Sequence, residues 1–94
     1  MKLTLKDKTF IDVNSVTEMS RIDQNGLRKR EVIIDIADEL TYQQLSDMFT
    51  PDNISSMQLK VYYSETPISY SEVGEINISL SVSSFGMSRV VRIS

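Results

Sequence analysis

From residue 76 onward the chain alternates apolar and small polar side chains without a charge until Arg89. Ile76, Ile78, Leu80 and Val82 are interleaved with Asn77, Ser79, Ser81 and Ser83. A period of two places successive side chains on opposite faces, which is the patterning of a β-strand. The same period opens the chain, with Leu3 and Leu5 ahead of Lys6, Asp7 and Lys8, and Ile11 and Val13 behind them. Taking those three residues as a loop sets Leu5 against Thr9, Leu3 against Ile11 and Met1 against Val13, so one face of the hairpin is apolar. Phe10 falls on the other face. Lys8 stands where three-residue loops prefer glycine.

Asn25-Gly26 tolerates the two positive φ angles of a type I′ turn and predicts a second hairpin. With Gln24 paired to Leu27, Met19 lies opposite Val32 and Thr17 opposite Ile34. That leaves Val32, Ile34 and Ile36 on the buried face, and Val32, Ile33 and Ile34 are β-branched residues that disfavour helix. Ile22 and Leu27 fall near the tip. After Asp38 the period changes. Thr41 with Gln44 three residues on reads as a capping box, and Tyr42, Leu45, Met48 and Phe49 form one apolar stripe on a helix of about two turns. Such a helix is too short to persist alone, so the stripe packs on the sheet. Thr50 and Pro51 stop it and suit the start of a further turn anchored by Ile54 and Met57.

Alternation resumes at Met57, Leu59, Val61 and Tyr63. Ser64, Glu65, Thr66 and Pro67 are read as a turn, Ile68 and Tyr70 as continuing at period two, and Phe85-Gly86 as a bend before Val90, Val91 and Ile93. The expectation is a mainly β (α+β) single domain over residues 1–94. It has six to eight strands in an antiparallel β-sandwich or incomplete barrel, with one short helix across an end or face.

Composition narrows the function more than it identifies it. The 94 residues carry 13 Asp and Glu against 10 Lys and Arg, a formal net charge of −3. That balance leaves no electrostatic footprint for duplex nucleic acid. The one basic run, Arg28, Lys29 and Arg30, reads as a solvated hairpin flank balanced by Asp23 and Glu31, or as a patch that docks an acidic partner surface or a nucleic-acid strand. No apolar run approaches a membrane span, the first residues lack the apolar core of a signal peptide, and synthesis in the cytoplasm is the default. The absence of cysteine fits a reducing compartment.

There is also no histidine, so the commonest general base and metal ligand are missing along with the most readily activated nucleophile. Asp35, Asp38 and Glu39 are the densest acidic cluster. They match no cation-binding loop and read as a strand-to-helix connection with acids near a helix N-terminus. The three glycines form no phosphate-cradling pattern. A non-enzymatic protein is expected, without cofactor or metal.

The surfaces left are strand edges. Natural sheets blunt exposed edges with lysine, proline or bulges, and residues 76–88 carry no charge and no proline. If this strand is central the pattern is only structural. If it lies at an edge, another chain can extend the sheet through main-chain hydrogen bonds. Arg28, Lys29, Arg30, Ile76, Ile78, Leu80 and Val82 are therefore the candidate contact residues.

Several segments together resemble small β-rich proteins from the structural modules of tailed bacteriophages and prophages. The matching parts are the opening hairpin at residues 2–7, the helix carrying Thr41, Leu45 and Phe49, and the turn Asn53, Ile54, Ser55, Ser56 and Met57. Lys8 departs from the glycine typical of that opening turn. The resemblance implies a virion or tail-assembly component and transfers no catalytic residue. It implies protein partners or a homo-oligomer, with synthesis in the bacterial host cytoplasm and a place in the virion. A small phage-encoded regulator that binds one host protein as a monomer is the alternative. A third is a carbohydrate-binding module using Tyr62, Tyr63 and Tyr70, although alternation sets Tyr62 opposite Tyr63.

Overall fold

The computed structural model describes residues 1–68 and 74–94. Seven antiparallel strands form one sheet that is not closed into a barrel, so the mainly β expectation holds. They are β1 (Lys2–Thr4), β2 (Phe10–Ile22), β3 (Arg28–Ile36), β4 (Met57–Val61), β5 (Ser64–Ile68), β6 (Ile76–Ser83) and β7 (Gly86–Ile93). Their spatial order is β5-β4-β1-β2-β3-β7-β6. Two short helices, α1 (Tyr42–Met48) and α2 (Pro51–Ile54), connect β3 to β4, where one helix was expected.

The first hairpin has the register read from its alternation, with Leu3 opposite Ile11. Its loop closes through Leu5 N–H to Thr9 O and Lys8 N–H to Leu5 O, and Lys8 adopts φ 74°. A side chain at that angle is strained by its Cβ, so Lys8→Gly is expected to stabilise the fold by about 1 kcal/mol. Thermal unfolding should show it as a rise of about 4–8 °C. Across the turn, the Asp7 carboxylate accepts from the Thr9 amide at 2.9 Å and from Asn53 Nδ2 at 3.2 Å. The bonds from Thr9, and less so the one from Asn53, hold the Asp7 carboxyl below its ordinary value. Asn53 is buried and also donates to the Met48 carbonyl at 2.9 Å, which ties α2 to this turn.

The second hairpin is shifted by one residue from the expected register: Glu18 faces Val32, Val16 faces Ile34 and Met19 faces Glu31. Asp23 is the cause. Its Oδ1 accepts from the amides of Asn25 and Leu27, each at 2.9 Å, while Asp23 N–H bonds to Leu27 O. The loop therefore holds three residues, with Gly26 at φ 79° as its left-handed member, rather than the two of a type I′ turn. A register irregularity between Val13 and Ser15 shifts β2 by one as well, and it moves the inward position from Val13 to Val16.

Both capping-box bonds of α1 form: Gln44 N–H to the Thr41 hydroxyl at 3.2 Å, and Thr41 N–H to Gln44 Oε1 at 2.9 Å. Leu45 and Phe49 are buried, Met48 is half-buried and Tyr42 is exposed, so the stripe packs inward on three of its four positions. Thr50 caps α2 with Pro51 in its first turn, as the residue types favour. Leu45, Phe49 and Ile54 cover one face of the sheet. There they join Leu3, Leu5, Ile11, Val13, Val32, Ile34, Ile36, Met57, Ile68, Val91 and Ile93 in a single core.

The segment Ser64–Ile68 is a strand and not a turn; the reversal lies at Tyr62 and Tyr63, with Val61 opposite Ser64. Pro67 is tolerated because β5 is an edge, where one side of the strand needs no donor. The chain reverses again between Ser83 and Gly86, so residues 76–88 are not one strand but a hairpin of β6 and β7. Among the described residues no helix is long and apolar enough to cross a membrane.

Candidate interaction surface

The sheet ends in two very different edges. On one side β5 presents Glu65 and Pro67, a charge and a missing N–H, both of which discourage strand addition. On the other, β6 runs for eight residues without charge, proline or glycine and pairs only with β7 among the described residues. The question left open by alternation is thereby answered: Ile76, Ile78, Leu80 and Val82 lie on an edge strand. Ile76, Ile78 and Leu80 are half-buried against the core, where α1 packs on β6, and Val82 is 78% exposed beyond it. Asn77, Ser79, Ser81 and Ser83 form the opposite, solvent-facing row.

Because β6 is an edge and Ser81 faces water, Ser81→Lys, titrated with urea at a protein concentration too low for self-association, should leave unfolding free energy within about 0.5 kcal/mol of the parent. A large loss would mean that the strand is enclosed.

Arg28, Lys29 and Arg30 stand elsewhere. From the Met19–Glu31 pair outward, β2 and β3 continue as a two-stranded arm, since β7 reaches only Val32 and β1 only Asp12. A bare two-stranded ribbon is marginal in water, and ion pairs brace this one. Arg30 Nη2 lies 2.8 Å from Glu18 Oε1. Glu31, buried at 6% exposure, is flanked by Arg92 Nε at 3.0 Å and Arg21 Nη2 at 3.8 Å. The acid that balances the basic run is thus Glu18, and the expected Asp23 and Glu31 are engaged in the turn and with other arginines. Arg28 and Lys29 are exposed, as are Ile22 and Leu27 at the tip. The structure does not bring this arm next to β6. Along β3 the arm leaves one end of the sheet, while β6 is separated from β3 by β7.

The acidic cluster is structural in its geometry. Asp38 Oδ2 accepts from the Asp12 amide at 2.9 Å, and Asp35 Oδ1 lies 3.4 Å from Asn14 Nδ2. Tyr62 and Tyr63 sit together in the β4–β5 loop, not on opposite strand faces, and both are exposed. Tyr70, the third member of the carbohydrate reading, lies outside the described residues. A depression of about 160 Å³ beside β1 and β4 is lined by Thr4, Lys6, Lys8, Gln58 and Glu65. Small-molecule sites run to about 300–1,000 Å³.

Sequence reasoning missed three features of this surface. Val82 was read as one more inward position, whereas it projects past the end of the core. Phe85, fully exposed, and Met87 lie in and beside the β6–β7 turn; the bend expected at Phe85-Gly86 is a full reversal, and the exposure of these two apolar side chains beside the edge was not anticipated. The contrast between the two edges also required the strand order. No protein-family model, curated protein or solved structure matches the chain.

Proposed function

We propose that the protein is a non-enzymatic structural component of a phage or prophage particle, in the tail or the head–tail assembly, and that it works by protein contact through the open edge at β6. The observation that carries the reading is the asymmetry of the edges: β5 is guarded by Glu65 and Pro67, and β6 is left open. Main-chain groups along an unguarded strand recruit another strand by hydrogen bonding, with alternate side chains setting register. The particle context rests on the resemblance, read from the sequence, of the ordered segments at residues 2–7, 41–49 and 53–57 to small phage structural proteins.

The test is to induce particle production in a host that carries the gene and to analyse purified particles and assembly intermediates by mass spectrometry. The chain is expected in stoichiometric amounts in one of those fractions. Its presence only as free protein would overturn the reading.

A further inference from the structure

We infer that the strand which adds to β6 is β6 of a second copy, paired antiparallel across a two-fold axis. This rests on the reading of that edge as a protein-binding surface and names its occupant. The argument is self-complementarity. In an antiparallel ladder, residues directly opposite share a face, so a register centred on Ser79 sets Ile78 against Leu80 and Ile76 against Val82 of the other copy. On the opposite face, Asn77 meets Ser81 and Ser79 meets its own equivalent. Val82, 78% exposed, then gains an apolar neighbour, and the half-buried row of Ile76, Ile78 and Leu80 continues without a break into the second molecule.

Charge makes the same point. When a strand pairs with itself across a two-fold axis, a charge on or next to the axis meets or approaches its own equivalent, a destabilising arrangement. Ile76–Ser83 has no charge to oppose, in any register. β5 could not do this, because Glu65 would approach its own copy and Pro67 lacks a donor. The two-fold operation consumes the open edges of both molecules, so it closes at a dimer whose remaining edges are the guarded β5 strands.

The experiment uses the full chain and three proteins: the parent, Ser79→Lys and Ser79→Glu. Sedimentation over a concentration series is expected to show a dimer for the parent. Each variant alone should weaken dimerisation by about tenfold or more while keeping the parent circular-dichroism spectrum, because like charges meet at the axis. An equimolar mixture should restore a heterodimer, since lysine now faces glutamate. A monomeric parent at every concentration overturns the inference. A dimer that ignores both variants, or variants that fail to complement, also overturns it. Those results leave the particle reading to its own test, because a chain found in particles with a monomeric parent would have a different strand on β6. Were a variant to unfold, the double variants Asn77→Lys with Ser81→Lys and Asn77→Glu with Ser81→Glu, whose positions oppose each other across the axis, replace the pair, with the same complementation required.

Discussion

Ile34→Ala is expected to lower unfolding free energy by about 3–4 kcal/mol, seen as a fall in the urea midpoint at unchanged slope. Ile34 is fully buried, on a strand hydrogen-bonded on both sides, with Val16 opposite on β2 and Val91 opposite on β7. Truncation removes three carbons and leaves a cavity that two β-branched neighbours on fixed strands are poorly placed to fill. Ile22→Ala on the same hairpin is the control. Ile22 is 68% exposed near the tip of the arm and should change stability by less than about 0.5 kcal/mol. Similar losses at the two sites would mean that the arm is packed against something or that β3 is not central.

That contrast is legible in the sequence, because the inward face of β3 follows from Val32, Ile34 and Ile36 alone. The pairing that supports it was not. The expected second hairpin assumed a two-residue loop and an unbroken β2, and the structure has a three-residue loop and a slip between Val13 and Ser15. Each irregularity shifts parity by one. They compensate, so the faces of β3 come out correctly while the β2 partners do not. The signals were present in the residues. Asp23 stands where its carboxylate can cap the loop amides, and the apolar positions of β2 step from Ile11 and Val13 to Val16, a spacing of three that alternation alone does not allow.

The β4–β5 turn was harder to see. The two central residues of Val61-Tyr62-Tyr63-Ser64 are not usual turn residues, and Tyr62 adopts φ 56°, which its sequence does not advertise. Pro67 drew the turn to itself, although an edge strand accommodates proline. The status of β6 was beyond any local pattern. A strand of alternating apolar and hydroxyl residues reads the same at an edge as beside one, and only β3 pairing with β7, outside the chain order, leaves β6 at the end of the sheet. The candidate site was thus legible in its residues and illegible in its setting. The basic run was legible as a hairpin arm, but its ion pairs depend on the register that was off by one.

The arm's ion pairs give a second large effect, and an asymmetric one. Arg92→Ala is expected to cost about 2–3 kcal/mol, and Glu31→Gln only about 1 kcal/mol, although both break the same bridge. The Glu31 side chain is 8% exposed, whereas those of Arg92 and Arg21 are 58% and 69% exposed. Removing Arg92 strands a carboxylate that water barely reaches, with Arg21 at 3.8 Å as its remaining cation. Removing the negative charge instead leaves two guanidinium groups that are already solvated, so their desolvation is not in play. The double variant should then be less destabilised than the sum of the two, because neutralising Glu31 relieves what the loss of Arg92 creates. Urea unfolding of the four proteins measures the cycle, and repeating it in high salt should change the coupling little, since partly buried charges are weakly screened. Equal costs for the two single variants, or a coupling that vanishes in salt, would show that Glu31 is solvated in solution and that the arm is held by its strand pairing alone.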